Sequence, residues 1–555
     1  MGRLDLVNVL RVLWVVAIVW YELAVFSYQV SKCPWPRVPR TDSQTYPTPE
    51  THVLLVADPQ VLDHRSYPDR PPWLMWLSQW IVDFNMRKSW WATKQLHPDA
   101  IIFLGDMMDG GRYAMSDDEY ESYLRRTKGI FSTSPSIPEL YIPGNHDVGI
   151  GVSDEWSARA RDRWLSHFGP LQQLVEIANH TFVMLDAPGL VEEERQRKIS
   201  GLSFANWAAV NPNGSIAYAQ YAADMARSRN QPTVLLTHIP LFRPRGTSCG
   251  PLREHGTIRD GSGYGYENTL DPLTSEWILK GIRPSVIFSG DDHDYCEVYH
   301  TLPPSDRAND LKQNTVKEIS VKSFSIAMGI HRPGFQLLSL IPPSSPSSSS
   351  SGPTFVDAPC FLPYQISTYV FVYGPLAAFS ILVLLFSHVY RVNISSARPS
   401  MPASQSQYLQ TLSSSPLSYD AEQVRSSALR PSNSNNTLQI LRNYDAPDDT
   451  GEADFMLPPP SPTPNITAKA RRRNGYVSRI PTVFRFSLGG RKMVADLTSV
   501  RDLLGACGGR CGGARGQEFS RSGRRIGVVR GWLTDVWGVG WVAMGVFLLL
   551  AWWFS

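Results

Sequence analysis

Five clusters of polar side chains recur between residues 51 and 341, and each follows a run of residues typical of a β-strand. The clusters are Asp58-Pro59-Gln60, Gly105-Asp106-Met107-Met108-Asp109, Gly144-Asn145-His146-Asp147, Thr237-His238 and Gly290-Asp291-Asp292-His293. Any one of them could be a turn, a helix cap or a histidine satisfied within the core. Five in succession indicate a shared site instead, because ligands of open α/β sheets bind at the carboxyl ends of strands.

The residue types in these clusters suit the hydrolysis of a phosphoester. That reaction needs an attacking hydroxide and positive charge beside the phosphoryl oxygens, and two divalent ions about 3.5–4 Å apart supply both. One carboxylate must bridge the ions, while other oxygen and imidazole groups complete each coordination sphere. Such a mixture of donors suits manganese, iron or zinc. The sequence therefore predicts a metal-dependent phosphoric-ester hydrolase with two divalent metal ions.

Strands and helices alternate through the same segment and must position the clusters. Short β-rich runs predict strands over Val53–Ala57, Ala100–Leu104, Leu140–Ile142, Thr181–Leu185, Thr233–Thr237, Val286–Ser289 and Ile319–Phe324. Amphipathic stretches predict helices over Trp73–Gln95, Asp117–Ser132, Asp154–His167, Ala217–Arg227 and Pro272–Lys280. This alternation predicts an α/β layered domain over residues 51–341.

Composition bounds the size of the protein and excludes one class of partner. The chain has 555 residues, 43% of them hydrophobic, which is enough for one large domain with accessory segments. Its formal charge of +3 is too small to indicate a nucleic-acid partner. Basic side chains outnumber acidic ones between Arg391 and Arg530, so the rest of the chain is net acidic. That asymmetry bears on orientation in a membrane.

Three apolar runs are long enough to cross a membrane, over residues 12–28, 366–389 and 536–554. The first is interrupted only by Glu22. No small-x-small cleavage site follows it, so an uncleaved signal anchor fits better than a cleaved signal peptide, which stays open as the alternative. The second run carries no formal charge, which favours a span over a buried core helix. Tryptophans border the third, as expected at a membrane interface.

Basic residues near the ends of spans predict the orientation, because they favour the cytosolic side. Arginines in residues 1–11 and at both ends of the loop 390–531 place these two segments in the cytosol. The domain over 51–341 then faces the lumen of the secretory pathway, and a Ser/Pro-rich flexible tether over 342–365 joins it to the second span. Most of the cytosolic loop is rich in Ser, Pro and Asn and is predicted to be largely disordered.

The predicted orientation determines which sequons can carry glycans. Asn179 and Asn213 begin sequons in the luminal segment and are expected to be glycosylated. Asn393, Asn435 and Asn465 begin sequons in the cytosolic loop and are expected to stay unmodified.

Four of the six cysteines fall in the luminal segment, where a disulfide is permitted. Cys249 with Cys296 is the pair that we would test first. Cys507 and Cys511 lie in a Gly/Arg-rich part of the cytosolic loop, and no further ligands for a zinc site lie near them in the sequence.

The order and spacing of the five clusters resemble the calcineurin-like metallophosphoesterase superfamily. The resemblance implies a β-sandwich flanked by helices. It also implies that Asp58 and His293 hold the first metal and that Asp106 bridges the two. Asn145 and His238 would hold the second metal.

The same resemblance implies roles for residues near the metals other than the five ligands above. His146 would protonate the leaving oxygen or stabilise the transition state, with Asp147 orienting it, and Asp109 would cap the next helix or support a ligand. The superfamily usually has histidine where this chain has Gln60 and Asp291. Gln60 could still bind a metal through its carbonyl oxygen, although a neutral amide is a poorer ligand than imidazole. Asp291 could take over at the second metal and would add a negative charge. Both replacements shift the site toward harder oxygen donors, which favours Mn²⁺ over zinc.

A narrower resemblance is to the eukaryotic, fungal-type phosphodiesterases that remove ethanolamine phosphate from the mannoses of GPI anchors. It is carried by Val56–Gln60, Gly105–Arg112, Pro143–Asp147, Leu241–Pro244, Cys249–Glu254, Asp291–Glu297 and Arg332–Gln336. It implies an enzyme of the endoplasmic-reticulum membrane, cycling to the Golgi, that remodels anchors before export. Its substrates would be the GPI glycolipid or GPI-anchored proteins. Membrane lipid would be a further partner of the chain.

Three arginines in these segments are candidates for contact with the substrate. Arg112, Arg243 and Arg253 could bind its phosphate, since a guanidinium matches phosphate in bidentate fashion. They could equally bond to carbonyl groups or pair with Glu254.

Two other functions stay open at this point. One is a metal-dependent phosphatase with another substrate, such as a phosphoprotein. The other is a non-catalytic membrane adaptor that keeps the fold, and the departures at Gln60 and Asp291 are its motivation.

Overall fold

The computed structural model describes residues 3–39, 49–151, 154–303, 315–343, 353–397, 483–488, 491–496 and 518–554. Its helices are α1 (Arg3–Val19), α2 (Val25–Ser31), α3 (Pro72–Thr93), α4 (Asp117–Ile130), α5 (Asn145–Val148), α6 (Ala160–His167), α7 (Ala187–Ser200), α8 (Phe204–Val210), α9 (Ser215–Arg229), α10 (Pro272–Ile282), α11 (Gln365–Thr368), α12 (Gly374–Ala397) and α13 (Glu518–Phe554). Its strands are β1 (Thr51–Val56), β2 (Ala100–Phe103), β3 (Glu139–Tyr141), β4 (Gln173–Ile177), β5 (His180–Leu185), β6 (Thr233–Thr237), β7 (Ser262–Gly263), β8 (Tyr266–Glu267), β9 (Val286–Ser289), β10 (Cys296–Thr301), β11 (Thr315–Ser320), β12 (Gly334–Leu340), β13 (Phe355–Phe361), β14 (Val483–Leu488) and β15 (Arg491–Asp496).

The chain divides into two compact units, residues 1–395 with 525–555 and residues 396–524. In the second unit, β14 and β15 pair as an antiparallel hairpin, so part of the predicted disordered loop has regular structure. The rest of that loop between residues 398 and 517 lies outside the described residues. The predictions for Asn435, Asn465, Cys507 and Cys511 lie outside them as well.

Two β-sheets build the domain of the first unit. One has the order β13-β12-β1-β2-β3, and the other has the order β10-β11-β9-β6-β5-β4. The strands β1, β2 and β3 run parallel, as do β5, β6, β9 and β11. The parallel strands of each sheet therefore end at a common edge, where the polar clusters begin.

Alternate residues of the central strands face opposite layers. Val53 and Leu55 of β1 lie in a core between the two sheets, while Leu54 and Val56 face an outer core that contains α3 and α4. In the other sheet, Leu235 of β6 faces a second outer core formed with α7, α9 and α10. Each sheet is thus covered on both faces, which accounts for strands that are hydrophobic throughout. The architecture is a β-sandwich flanked by helices, as the sequence predicts.

Capping and first-turn residues in the sequence determine where the helices beside the site begin. Ser116 caps α4 by accepting a hydrogen bond from the Glu119 amide, and three acidic residues occupy the first turn. Pro72 stands at the first turn of α3, where its missing N–H is no loss.

Two predicted elements are placed wrongly. The strand expected over Ile319–Phe324 ends at Ser320, because the next residues cross to the first polar cluster, where the Phe324 amide donates to Ala57. The helix expected over Asp154–His167 begins only at Ala160. The residues before it contact the loop that follows the second cluster instead, since the Ser157 amide donates to the Arg112 carbonyl.

The prediction of a flexible tether over 342–365 is wrong for its second half. Residues 344–352 lie outside the described part of the chain, but Phe355–Phe361 forms β13 and pairs antiparallel with β12. A disulfide between Cys33 and Cys360 also joins this strand to the chain after the first span. The domain therefore extends to the start of the second span. The predicted disulfide between Cys249 and Cys296 is confirmed.

Among the described residues, three helices are long and apolar enough to cross a membrane, which indicates a membrane protein. They cover Arg3–Ser31, Gln365–Ile394 and Gly527–Phe554, and each contains one of the predicted apolar runs. Their ends lie outside the runs because the helical backbone continues into polar sequence. A π-helical turn interrupts the first at Trp20–Ala24 and another lies in the second at Tyr369–Tyr373.

Polar contacts join all three spans at one end, and they join the first two spans and α3 at the other. At one end, Asp535 of the third span accepts hydrogen bonds from Arg3 of the first and from His388 of the second. At the other end, Glu22 of the first span pairs with Lys88 of α3 at 2.5 Å, and both side chains are fully buried. Gln365 of the second span also donates to Glu22, at 2.9 Å. The spans and the domain are therefore packed directly against each other.

Candidate metal centre

The five polar clusters meet at one edge of the sandwich. Asp58 follows β1, Asp106 follows β2 and Asn145 follows β3 in the first sheet, and His238 follows β6 in the second. The cluster after β9 completes the group from the same side. Ligating atoms of Asp58, Asp106 and His238 all lie within 4.8 Å of one another, and all three side chains are buried.

His238 has one ring nitrogen available for a metal. Its Nδ1 lies 2.7 Å from the carbonyl oxygen of Leu104, a contact that assigns the proton to Nδ1. Its Nε2 then presents a lone pair, and Nε2 lies 3.4 Å from Oδ1 of Asp106 and 3.6 Å from Oδ1 of Asp291. A carbonyl behind a histidine is the usual partner that fixes the orientation of a metal ligand.

The Asn145 amide is oriented in the same way. Its Nδ2 donates to the carbonyl of Gly265 at 2.9 Å, which turns its Oδ1 toward Nε2 of His238 at 3.1 Å. Two ligand atoms that each lie about 2.1 Å from one ion are roughly 3.0–3.4 Å apart. The oxygen of Asn145 and the nitrogen of His238 therefore fit one ion, as the resemblance implies for the second metal.

Asp106 lies at the centre of the cluster. Its Oδ1 accepts a hydrogen bond from the His146 amide at 2.9 Å, and its Oδ2 accepts one from Nε2 of Gln60 at 2.7 Å. This position suits a carboxylate that bridges two ions. Gln60 is brought to the site, but it presents its amide nitrogen to Asp106 rather than its oxygen to a metal.

The cluster after β9 brings Asp291 and His293 to the site. The Asp291 amide donates to Oδ1 of Asp58 at 3.0 Å, which ties the two sheets together at this edge. Burial lowers the pKa of His293 to about 4, an effect that Asp106 opposes and that His146 and His238 increase. A histidine kept neutral in this way retains the lone pair that a metal requires.

The backbone is strained where these residues lie. Asp58, Gln60, Asp106, Asp291 and His293 all have positive φ angles between 38° and 66°. Such a conformation costs about 1–3 kcal/mol for residues other than glycine and persists only where the surrounding structure enforces it. These φ angles redirect the chain after several strands, so that the side chains of these residues reach the same site.

Two glycines leave room for the ligands. A Cβ on Gly144 would lie 2.0 Å from Oδ1 of Asp106, and a Cβ on Gly105 would lie 2.5 Å from Nδ1 of His238. Only glycine can stand at these positions without displacing a side chain of the cluster.

The charges of the cluster require compensation. Burial and the neighbouring carboxylates hold the pKa of Asp58 well above its usual range, although His238 opposes the shift. Burial likewise raises the pKa of Asp291 to about 7, with Asp106 adding to the effect. Burial also opposes the ionisation of Asp106, but His238 and His146 outweigh it and hold the pKa of Asp106 well below its usual value.

The residues at this edge fit a pair of divalent cations. Oδ2 of Asp58 is buried and has no hydrogen-bond partner among the described residues, so one strong acceptor is left for a cation. Carboxylate and amide oxygens beside imidazole nitrogens are the donors that such ions take. A divalent charge here would favour the ionised forms of Asp58 and Asp291, which burial otherwise disfavours.

The resemblance implied that Asp147 orients His146, but in the structure Asp109 does so. Nδ1 of His146 lies 2.8 Å from the carbonyl oxygen of Asp109 and 3.2 Å from its carboxylate. Burial alone would lower the pKa of His146, but Asp106 and Asp109 raise it to about 9. Asp147 instead accepts hydrogen bonds from the amides of Met108 and Gly144, and so braces two ligand loops.

The three candidate arginines differ in their surroundings. Arg243 is buried and pairs with Glu318 at 3.0 Å, so its predicted contact with substrate is wrong. Arg253 pairs with Asp292 rather than with Glu254. The pair is bidentate, and its Nη2 lies 3.1 Å from Oδ1 of Asp292. Arg112 donates to the carbonyls of Asn145 and Gly265, and its buried Nε has no partner among the described residues. Arg112 therefore remains the candidate for substrate contact.

A hairpin that sequence reasoning missed covers one side of the site. Strands β7 and β8 flank Gly265, whose carbonyl oxygen receives both Asn145 and Arg112. Trp156 stacks beside this hairpin, with its ring 5.1 Å from that of Tyr264 and 5.6 Å from the Arg112 guanidinium. The Gly-Tyr-Gly-Tyr sequence of the turn was the available signal.

Known proteins match the segment that holds these clusters. Residues 51–295 match the calcineurin-like phosphoesterase family. Cell division control protein 1 of Saccharomyces cerevisiae is 34% identical over 369 residues, which cover 64% of this chain and 69% of that protein. Metallophosphoesterase 1 of Danio rerio is 25% identical over 396 residues, which cover 67% of this chain and 90% of that protein. Its Caenorhabditis elegans homologue is 23% identical over 292 residues, which cover 51% of this chain and 70% of that protein.

A change of Gly144→Ala tests the centre through its metal content. The new Cβ would displace Asp106, so we expect bound metal, measured by inductively coupled plasma mass spectrometry on the purified chain, to fall from two ions toward none. Gly129→Ala is the matched control, since its Cβ would meet nothing closer than Arg87 at 3.8 Å. Full metal content in the Gly144→Ala protein would contradict this ligand arrangement.

Arg243→Met and Arg112→Met separate a structural arginine from one that binds substrate. Burial opposes the ionisation of Glu318, but Arg243 and His300 lower its pKa to about 2, so Arg243→Met leaves this buried carboxylate with His300 as its ion-pair partner among the described residues. We expect it to lower the free energy of unfolding by about 3–5 kcal/mol. Arg112→Met should raise KM and lower Tm less than Arg243→Met does, since it removes two hydrogen bonds to carbonyls but takes no arginine from a buried carboxylate. Thermal unfolding and steady-state kinetics measure both, and a stable Arg243→Met protein with a raised KM would contradict the assignment.

Proposed function

Because this chain belongs to the calcineurin-like phosphoesterase family and is a metal-dependent phosphoester hydrolase, we propose that it removes ethanolamine phosphate from a mannose of GPI anchors. The reaction takes place in the lumen of the endoplasmic reticulum, before export. The observation that carries the proposal is a dimetal-type cluster in a domain packed directly on membrane-spanning helices. Such an enzyme meets substrates that are themselves attached to the membrane.

The residues of the cluster have complementary roles in this reaction. Asp58 and His293 would hold one ion, Asn145 and His238 would hold the other, and Asp106 would bind both. Two divalent ions supply, when bound, a hydroxide nucleophile and neutralisation of the phosphoryl oxygens. Water adds to phosphorus as the bond to the mannose oxygen breaks, so ethanolamine phosphate and a free mannose hydroxyl are released.

His146 supplies the proton that the mannose oxygen takes up. Its Nδ1 is engaged by Asp109, so Nε2 is the nitrogen that can act on the substrate. The carboxylate of Asp109, 3.2 Å from Nδ1, favours the charged form of the ring. A positioned imidazolium of this kind contributes typically 10²–10⁴-fold to a rate.

The rim of the site suits a phosphorylated sugar. Arg112 offers a guanidinium with a spare buried donor for the phosphate. The rings of Trp156 and Tyr264, 5.1 Å apart, stand beside it and provide an apolar face for a sugar ring.

The donor set favours manganese over zinc. Oxygen groups from Asp58, Asp106, Asn145 and Asp291 surround the centre, and only histidine contributes nitrogen. Hard oxygen ligands suit manganese, whereas soft thiolates would suit zinc.

The luminal orientation is supported by the contacts of the spans and by the surface. Arg3, Asp535 and His388 contact one another at the arginine-rich end of the spans. The domain is attached at the opposite end, where Glu22 pairs with Lys88. Asn179 and Asn213 are both exposed on the domain, where an oligosaccharide can be attached. Asn179 occupies the turn between β4 and β5 with a φ of 58°.

Asp106→Asn tests the proposed reaction. The bridging charge is lost, so we expect release of ethanolamine phosphate to be abolished while the protein remains folded in the membrane. Mass spectrometry of GPI glycans from cells that carry only the variant measures retention of the ethanolamine phosphate. Asp118→Asn, an exposed carboxylate in α4, is the matched control and should support normal trimming. Normal glycans with Asp106→Asn would refute the catalytic account.

Glycosylation tests the compartment and separates this function from a cytosolic phosphoprotein phosphatase. We expect endoglycosidase H to increase the gel mobility of the full chain. The increase should be lost in a double variant, Asn179→Gly with Asn213→Gln, where glycine tolerates the positive φ at residue 179. A chain that is not glycosylated at either sequon, with a domain that cytosolic protease digests in intact microsomes, would favour the phosphatase instead.

A further inference from the structure

A cavity of about 610 Å³ lies among the three spans and α3. Its walls include Trp14 of the first span, Ala377 of the second, Ala543 of the third and Trp80 of α3. The volume falls within the roughly 300–1,000 Å³ of sites that hold small molecules. It is separate from the metal centre, since none of the residues that line it belongs to the five polar clusters.

The cavity is long and runs along the spans. On the second span its lining residues extend from Tyr369 to Leu384, which corresponds to about 22 Å of helix at ~1.5 Å per residue. On the third span they extend from Val536 to Phe547, or about 16 Å. A compact ligand would not need such a length, whereas an extended hydrocarbon chain would fill it.

The walls are apolar, and the polar groups lie toward one end. Trp14, Ala377 and Ala543 contribute carbon-rich surface along the spans, and the Trp14 nitrogen is satisfied by Ser380. Near the end that faces the domain, the Tyr373 hydroxyl donates to Glu22 at 2.9 Å. A lipid has this same division, with a hydrocarbon chain and a polar group at one end.

The helix α3 closes the cavity on the side of the domain. Trp80 packs against Phe547 with ring centroids 5.9 Å apart, and Phe84 lies 5.6 Å from the same ring. Trp73 and Trp76 of the same helix are strongly exposed, as expected for side chains at a membrane interface. The cavity is therefore at the depth of the bilayer's hydrocarbon, with α3 at its border.

We propose that this cavity binds one acyl chain of a membrane lipid, with the lipid's polar group toward α3. Lipid tails surround the spans at this depth, and an apolar cavity stays dry and takes up apolar ligands. Since α3 begins shortly after Gln60, the bound lipid lies against the helix that leads from the first polar cluster. The site does not depend on which phosphoester the metal centre hydrolyses.

Photocrosslinking of the full chain tests the site. The protein is reconstituted in nanodiscs of phosphatidylcholine that contain a small fraction of phosphatidylcholine with a diazirine on one acyl chain. After irradiation, mass spectrometry of peptides locates the adducts. We expect adducts on the peptide that contains Trp80, and adducts on exposed Phe386 of the second span serve as the internal reference for surrounding lipid.

Two neighbouring alanines provide matched variants. Ala377→Trp fills the cavity, so labelling of the Trp80 peptide should fall several-fold relative to that of Phe386. Ala378→Trp makes the same change on the exposed face and should leave the ratio unaltered. If Ala377→Trp aggregates on size exclusion, Ala543→Trp fills the opposite wall, with Gly545→Trp as its control, since a Cβ there meets nothing within 4 Å.

The outcomes are distinct. A fall in the ratio confined to the cavity-filling variants supports the acyl-chain site. Equal labelling in the cavity-filling and control variants would overturn it, because the adducts would then come from surrounding lipid. Absence of adducts on the Trp80 peptide while Phe386 is labelled would overturn it as well.

Discussion

Three buried carboxylates, Asp58, Asp106 and Asp291, share one small space with His238, and the rest of the structure depends on this concentration of negative charge. An isolated ionised carboxylate is far too costly to bury, so the group must be neutralised by protons or by cations. Protonation would remove the acceptors that hold the cluster together. Divalent cations would keep the carboxylates ionised and would turn an unfavourable arrangement into one suited to catalysis.

The fold brings these charges together through rigid elements. Parallel strands of two sheets end at one edge, and the packed cores on both faces of each sheet leave the strand ends little freedom. The positive φ angles at Asp58, Asp106 and His293 are local strain that the packing of the sandwich offsets. Hydrogen bonds from Leu104 and Gly265 then set the orientation of individual ligands, which limits reorganisation when substrate binds.

The sequence predicted the clusters well because strand periodicity and strand-end chemistry are local signals. The partners of single side chains were less predictable, since they depend on contacts between distant segments. Asp109 rather than Asp147 orients His146, and Arg243 pairs with Glu318, which is far from it in the sequence. The strand β13 was missed for the same reason, because its pairing with β12 outweighs a composition typical of a linker.

That strand also changes how the enzyme meets its substrate. A flexible tether would let the domain move away from the membrane and reach soluble phosphoesters. Instead, the Cys33–Cys360 disulfide and the fully buried pair of Glu22 with Lys88 hold the domain on its spans. The metal centre is then confined near one end of the spans, which is the geometry that the proposed membrane-attached substrate requires.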